Sequence, residues 1–232
     1  MDDQLKKNVY SPYSNREEYC FVEGESGTIY PGVRIENISF PLTISAVQAA
    51  VTSCLGNRDQ PVKIYQKKPY SELIQQWVEE FDVELINDLN VETENLYSPL
   101  ISPDEIDIAD HLQKIAENSR TIHSDFPVSA ILEVDAGYIP GVNIEVESWS
   151  LGLCAERVAL TRAITAGYKS FNTLHVYAPK GDFSSPCGAC RQVLAEWMPR
   201  EQITLYHGNG SKSRHNVHEL LPFGFTTQSL KK

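Results

Sequence analysis

Short apolar runs alternate along this chain with segments in which apolar residues recur every three or four positions. In the last third, residues 173–177 and 202–207 are apolar or β-branched runs that predict strands. Helical periodicity falls on residues 156–166 and 191–197, and an amphipathic helix is predicted over 104–119. Strands that alternate with helices in this way predict the α/β class, with a mixed sheet between layers of helices.

An internal repeat divides the chain into two units. Residues 30–40 match residues 139–149 with a constant offset of 109 positions. Each copy continues in the same order of strand, strand, helix, strand, helix and strand. The 232 residues therefore predict two domains of ordinary size, a first half over 1–101 and a second half over 102–232, joined by a turn-rich linker over 98–103.

Three cysteines in the second half have the spacing of a zinc site. Cys187 and Cys190 form a C-x2-C pair, and Cys154 lies 33 positions before Cys187 and two before Glu156. Three thiolates fill three corners of a zinc tetrahedron and leave the fourth for water, as in a hydrolytic site. A structural zinc knuckle or a redox dithiol also fits an isolated C-x2-C pair. The neighbouring glutamate favours the hydrolytic site, because its carboxylate would carry protons to and from that water.

The second half resembles the cytidine deaminase family from residue 120 to 226. Five motifs in the family's order carry the resemblance: Ser124-x-Phe126-x-Val128, Gly141-Val-Asn-Ile-Glu145, Cys154-Ala-Glu-Arg157, Pro186-Cys-Gly-Ala-Cys-Arg-Gln192 and Leu220-Leu221-Pro222-x-x-Phe225. The resemblance implies two three-layer α/β/α repeats, each with a mixed sheet of about five strands. It also implies hydrolytic deamination of cytidine and deoxycytidine to uridine and deoxyuridine with release of ammonia, a reaction of pyrimidine salvage.

The same resemblance implies a role for each motif residue. Cys154, Cys187 and Cys190 would hold one zinc ion per chain. Glu156 would carry a proton from the zinc-activated water to the pyrimidine ring and then to the departing amine. Ala155 would contact the exocyclic amine through its backbone.

Five further side chains would complete the site. Arg157 and Arg191 would donate hydrogen bonds to the ligand sulfurs and so support the metal's Lewis acidity. Asn143 and Glu145 would hold the ribose hydroxyl, and Phe126 would form an apolar wall against the base. The ordinary alternatives are a polar strand end for Asn143 and Glu145 and a core position for the ring of Phe126.

The first half lacks every reactive residue of the second. The repeat places Ser45, Val47, Ser71 and Ile74 at the positions of Cys154, Glu156, Cys187 and Cys190. These side chains cannot hold zinc or shuttle protons, so we expect a catalytically inactive, metal-free repeat. A separate regulatory domain is the alternative, but the close register of the copy favours a scaffold.

The resemblance also implies an assembly. Cytidine deaminases with three cysteine ligands pack four single-repeat subunits, with residues that cross between sites. Two fused repeats per chain would therefore form a homodimer that mimics the tetramer. Phe40 and Phe225 are the candidates for contacts that cross between repeats.

Composition argues against several classes of partner. The formal net charge of −11 disfavours a protein that binds nucleic-acid phosphates, which would carry a basic face. Residues 1–7 contain no apolar core of a signal peptide, and no stretch approaches 18 apolar residues. Five cysteines, three of them assigned to metal, fit a reducing compartment. We therefore expect a cytoplasmic enzyme of a small nucleoside, with neither nucleic acid nor membrane as a partner.

Three functions remain open at the level of the sequence. Deamination of cytidine nucleosides is the leading candidate, because Asn143 and Glu145 imply a substrate that contains a ribose. Deamination of another aminopyrimidine, such as a nucleoside antibiotic, is the second. A zinc-stabilised binding module without turnover is the third, and Glu156 disfavours it, because such a module has no use for a proton carrier.

Overall fold

The computed structural model describes residues 2–226, and within them the chain forms six helices and nine strands. The helices are α1 (Asp2–Lys7), α2 (Ala46–Leu55), α3 (Ile74–Phe81), α4 (Ile108–Ala116), α5 (Ala155–Thr165) and α6 (Gly188–Trp197). The strands are β1 (Tyr19–Gly24), β2 (Ile29–Val33), β3 (Pro61–Tyr65), β4 (Glu84–Ile86), β5 (Ser129–Val134), β6 (Gly137–Val142), β7 (Thr173–Ala178), β8 (Gln202–His207) and β9 (Lys212–Asn216).

Two mixed sheets of the same strand order make up the fold, one in each half. The first has the order β2-β1-β3-β4, and the second has the order β6-β5-β7-β8-β9. In each sheet one pair is parallel, β3 with β4 and β7 with β8, and the other pairs are antiparallel. This confirms the predicted α/β class. The first sheet has four strands rather than five, because β9 forms a hairpin with β8 and the first half has no counterpart of that hairpin.

The second sheet is covered by a helix on each face. Ser129 on β5 donates from its hydroxyl to the Leu112 carbonyl of α4 at 2.7 Å, which places α4 on one face. On the other face Gly141 lies against α5, and a Cβ at this position would come within 2.4 Å of the Ala155 carbonyl oxygen. Glycine is therefore required in the repeated Pro-Gly-Val motif, because it lets the helix that carries Cys154 approach the sheet.

Most predicted elements of the second half agree with the structure to within one or two residues. The strand at 202–207 has the predicted bounds, and α5 is shifted by one residue. Two helices differ by more: α6 begins at Gly188 rather than 191, and α4 covers Ile108–Ala116 rather than 104–119. Asp107 caps it by accepting a hydrogen bond from the Asp110 N–H at 3.0 Å, and Pro103–Glu105 forms a separate 3-10 turn. None of the helices within residues 2–226 has the length and apolar character that a membrane span requires.

The two halves face each other through pairs of equivalent contacts. In one contact of each pair the first half has a given role, and in the other contact the second half has it. Gln48 Nε2 donates to the Leu151 carbonyl at 2.8 Å, and Arg157 Nη2 donates to the Leu42 carbonyl at 3.3 Å. The repeat offset relates the two donors to each other, and it also relates the two acceptors. Exchange of this kind is the property of an isologous interface. The halves are therefore related by an approximate two-fold axis.

A second reciprocal pair joins α3 and α6 to the opposite halves. Glu196 on α6 accepts a hydrogen bond from the Ile38 N–H at 2.8 Å, and Glu80 on α3 accepts one from the Glu147 N–H at 3.0 Å. Asn37 Nδ2 adds a further hydrogen bond to Glu196 at 2.7 Å. Because α6 also carries a cysteine of the predicted zinc site, these contacts fix that part of the site against the first half.

Candidate metal centre and active site

The three cysteines predicted to bind metal lie together at the ends of two helices. Cys154 is the N-cap of α5, Cys187 is the N-cap of α6, and Cys190 lies in the first turn of α6. The Sγ atom of Cys187 is 3.6 Å from each of the other two Sγ atoms. All three sulfurs lie within 4.8 Å of one another, and they are the only such group of possible metal ligands in residues 2–226.

The cluster has the chemistry of a zinc site. Thiolate is a ligand that zinc prefers, and three thiolates leave one position of a tetrahedron for water. Cys187 is exposed while Cys190 is buried, so the cluster is open to solvent on one side. The pKa of the Cys187 thiol is lowered by its hydrogen bonds with the Cys154 and Cys190 thiols and with N–H groups of α6. A thiolate is thus favoured where a metal ligand must be deprotonated.

Glu156 lies in the first turn of α5, beside the cysteine cluster. It is only 4 % exposed. Burial raises its pKa to about 7, and the nearby charge of Cys187 contributes to the increase. A carboxyl group with this pKa is suited to accept and release protons near neutral pH.

The two arginines of the cysteine motifs have other hydrogen-bond partners than the sequence suggested. The resemblance predicted hydrogen bonds from Arg157 and Arg191 to the ligand sulfurs. Arg157 instead donates to the Leu42 carbonyl across the interface between the halves. Arg191 donates from Nε to the Pro186 carbonyl at 2.8 Å and from Nη2 to the Ser185 hydroxyl at 2.8 Å. Arg191 therefore braces the loop that leads into Cys187.

Asn143 joins β6 to the segment that precedes β5. Its Oδ1 accepts a hydrogen bond from the Val128 N–H at 2.7 Å, and its Nδ2 donates to the Phe126 carbonyl at 3.0 Å. Phe126 itself is 38 % exposed, so its ring is not in the core. A Cβ at Gly181 would lie 3.4 Å from the ring, which places Phe126 beside the segment that leads from β7 to Cys187.

Glu145 holds the loop that precedes Phe126. It accepts hydrogen bonds from the N–H groups of His123 at 2.8 Å and Ser124 at 3.1 Å, and from the Ser124 hydroxyl. Burial acts to raise the pKa of Glu145, but these hydrogen bonds outweigh it and keep the pKa below its usual value. Glu36 makes the same contacts in the first half, with Tyr13 and Ser14. This arrangement therefore belongs to the fold that both halves share.

The remaining predicted residues lie at the edges of the site or away from it. Ala155 is fully buried as the first residue of α5. Phe40 is 83 % exposed, so its ring is open to solvent in the single chain. Phe225 is 47 % exposed, and it lines a cavity of about 390 Å³ together with Tyr10 and Ile38 of the first half.

The corresponding place in the first half holds a buried carboxylate instead of cysteines. Glu18 is 4 % exposed, and its Oε1 accepts hydrogen bonds from the Ala46 N–H at 2.9 Å and the Ser71 hydroxyl at 2.6 Å. Ala46 begins α2 just as Ala155 begins α5. The carboxylate therefore lies at the N-terminus of α2, where the helix dipole favours a negative charge.

Two arginines neutralise this carboxylate. Arg16 Nε is 3.0 Å from Glu18 Oε2, and Arg34 Nη1 is 3.7 Å from the same oxygen. Arg34 also pairs with Glu36, from Nε to Oε1 at 3.0 Å. Sequence reasoning missed this cluster. The signal was available in the alignment of the repeats, which places Arg16, Glu18 and Arg34 opposite Phe126, Val128 and Asn143.

Replacing Arg34 by methionine should lower the free energy of unfolding by about 3 kcal/mol, because it leaves Glu18 and Glu36 buried with one cation fewer. Chemical denaturation measures this loss. Zinc content should stay unchanged, because the cysteines lie in the other half. Arg58→Met is the matched control, since Arg58 is exposed and its side chain donates to the Glu117 carbonyl at 2.6 Å, with no carboxylate as its partner. Equal stability of the two variants would contradict a structural role for the cluster.

Comparison with known proteins supports the interpretation of the cysteine site. A sequence profile of the cytidine and deoxycytidylate deaminase zinc-binding region matches residues 104–205, which lie wholly in the second half. The chain is 39% identical over 123 residues to a cytidine deaminase of Sporosarcina psychrophila, a match that covers 51% of this chain and 88% of the relative. It is 38% identical over 127 residues to a probable cytidine deaminase of Dictyostelium discoideum. That match covers 54% of this chain and 84% of the relative.

Solved structures include similar chains as well. The crystal structure of a cytidine deaminase from Burkholderia pseudomallei superposes with a TM-score of 0.48 at 33% sequence identity. The match covers 52% of this chain and 100% of the solved chain. The mixed sheets of this chain and its cluster of three cysteines define the class, an α/β protein with a zinc site of three thiols. The sequence relatives specify it further: the chain belongs to the cytidine deaminase family and is a zinc-dependent deaminase.

Proposed function

We propose that the chain converts cytidine and deoxycytidine, with one water molecule, to uridine and deoxyuridine and releases ammonia. The observation that carries the proposal is the buried Glu156 beside three clustered cysteines, in a chain of this family. Five free cysteines fit a reducing compartment. We therefore assign the reaction to the cytoplasm. The proposed substrates and products make it a step of pyrimidine salvage.

Cys154, Cys187 and Cys190 are the proposed ligands of one zinc ion per chain. Zinc held there supplies a Lewis acid that makes water a competent nucleophile at neutral pH. Glu156 takes one proton from the attacking water and delivers it to N3 of the base. It then takes the second proton of that water from the oxygen now bound to C4 and delivers it to the departing amine. Its raised pKa suits this work, because the same group must both gain and lose a proton in each turnover.

Phe126, Asn143, Glu145 and Ala155 are the proposed contacts to the nucleoside. The partly exposed ring of Phe126 offers an apolar face, and the Ala155 backbone is the proposed contact to the amine that leaves. Asn143 and Glu145 are the proposed partners of the ribose. Their hydrogen bonds to residues 123–128 hold the loop that carries Phe126, so both residues also position that ring.

The first half is proposed to be an inactive, metal-free scaffold. Its equivalents of the cysteines and of Glu156 offer no metal ligand, and Glu18 takes hydrogen bonds at the N-terminus of α2. The reciprocal hydrogen bonds of Glu80 and Glu196 support this proposal, because they join each half to the other.

We also propose that two chains form a homodimer with four repeats. Phe40 is 83 % exposed, and Trp149, its counterpart in the repeat, is 64 % exposed. Two exposed aromatic side chains at equivalent positions indicate a surface that another chain covers. Sedimentation equilibrium should give the dimer mass for the native chain and weaker association for Phe40→Ala. Unchanged association together with unchanged kinetics would contradict a contribution of Phe40 to the assembly.

A nucleoside antibiotic is the second candidate substrate. The chain is 32% identical over 108 residues to a blasticidin-S deaminase of Bacillus cereus, of which 76% is covered. Ammonia release from cytidine, deoxycytidine, cytosine and blasticidin S, measured with the same purified zinc-loaded protein, tests both candidates. We expect turnover of the two nucleosides and little from the free base, which lacks a ribose. Turnover of blasticidin S alone would reject the main proposal.

A further inference from the structure

Arg162 is a buried cation for which the structure provides no anion. Its side chain lies in the last turn of α5 and is 5 % exposed. It donates from Nε to the Ser53 hydroxyl at 3.1 Å, from Nη2 to the Ser53 carbonyl at 2.8 Å, and from Nη1 to the Pro140 carbonyl at 2.8 Å. All three acceptors are neutral. Within the described part of the chain, none of the ion pairs involves Arg162.

An unpaired buried guanidinium is unusual, because removal of its charge from water costs free energy that a partner normally offsets. The ring of Tyr97, 5.3 Å from the guanidinium carbon, supplies part of that compensation. Three of the five N–H groups of the guanidinium have acceptors, which leaves two available.

Arg162 lines a cavity of about 270 Å³ between the two halves. A second polar group in the cavity wall also lacks a partner: the Thr165 hydroxyl is buried without a hydrogen bond, in a residue that is 6 % exposed. The Asn8 side chain lies beside it and donates to the Thr165 carbonyl at 3.0 Å. No acidic residue lines the cavity, and its apolar wall is formed by Leu5, Phe21, Pro31, Ala49, Leu96 and Pro99.

A cavity of about 240 Å³ on the other side of the linker is also lined by Arg162. It is the symmetry counterpart of the first, since Ile115 of α4 and Asn118 in the turn after α4 take the places of Leu5 and Asn8. None of the residues that line it has a buried polar side-chain atom without a hydrogen bond, Arg162 included. The unpartnered hydroxyl of Thr165 thus distinguishes the larger cavity.

We propose that the 270 Å³ cavity binds a small organic anion. Its carboxylate or phosphate group pairs with Arg162 and accepts a hydrogen bond from Thr165, and its apolar body packs against Leu5 and Phe21. The site is distinct from the cysteine cluster. It lies at the opposite end of α5 from Cys154, so one helix carries a residue of each site.

Isothermal titration calorimetry of the zinc-loaded protein tests this site with three probes of similar shape. Benzoate and phenyl phosphate carry the two kinds of anion, and benzamide is the neutral counterpart. We expect at least one anion to bind roughly tenfold or more tightly than benzamide, and the stronger of the two identifies the preferred head group. Equal binding of all three, or binding of none at millimolar concentration, would overturn the proposal.

Variants locate the bound anion. Ala49→Leu fills the cavity with an apolar side chain and should abolish binding, whereas Arg162→Gln should remove the preference for anions. Arg200→Gln is the control, because Arg200 is an exposed arginine away from the cavity. Binding that survives Ala49→Leu would overturn the proposal, since the anion would then lie elsewhere, for instance in the smaller cavity. If Arg162→Gln does not fold, Ala49→Leu and the benzamide comparison still decide the outcome.

Discussion

Replacing Glu156 by glutamine should reduce cytidine deamination by about 10²- to 10⁴-fold, the range that a positioned acid–base group contributes. Glutamine has nearly the same shape but cannot take a proton from water or return it to the amine. The fold should be retained, because the substitution removes a carboxylate whose ionisation burial disfavours. Steady-state rates of ammonia release measure the effect.

Zinc content separates loss of catalysis from loss of the site. Glu156→Gln should keep about one zinc per chain, because the three thiols are untouched. Glu117→Gln is the control, since Glu117 is an exposed carboxylate and its loss should leave the rate unchanged. A Glu156→Gln protein that deaminates cytidine at the native rate would exclude Glu156 as the proton carrier.

Replacing Cys190 by serine should remove zinc and activity together. Cys190 is fully buried and lies 3.6 Å from Cys187, sulfur to sulfur, and its loss leaves two of the three proposed thiolate ligands. Zinc affinity should fall roughly tenfold or more, and the melting temperature of the zinc-loaded protein should fall with it, because bound metal stabilises the folded state. Elemental analysis by mass spectrometry and calorimetry measure the two effects.

The matched control for this variant is Cys54→Ala. Cys54 is also fully buried, but it lies in α2 of the first half, outside the cysteine cluster. This variant should keep its zinc and its activity even where it loses some stability. If Cys190→Ser retained zinc and Cys54→Ala lost it, the assignment of the ligands would be wrong.

The sequence predicted those features that depend on spacing within one repeat. The Cys-Ala-Glu motif and the C-x2-C pair precede the helices predicted over 156–166 and 191–197, so the sequence placed the cysteines near helix N-termini, although not as the caps themselves. The internal repeat likewise predicted two sheets of similar order. The positions of the cysteines and the order of the strands were both predictable, because helices and strands are determined by residues close together in the sequence.

Contacts between the halves could not be predicted in this way. Arg157 follows the glutamate of a catalytic motif, yet it donates to a carbonyl 115 positions earlier in the chain. Arg162 reaches Ser53 across 109 positions. Such partners depend on how two folded units pack, and no periodicity within either unit carries that information.

The reciprocal contacts of Gln48 and Arg157 have an evolutionary consequence. In an assembly of identical subunits, one gene change alters both copies of a two-fold contact at once. Here the two copies are encoded separately, so a glutamine on one side and an arginine on the other make the same kind of hydrogen bond. Fusion of the repeats thus permits each side of a symmetric interface to mutate independently, and asymmetry can accumulate without loss of the shared arrangement.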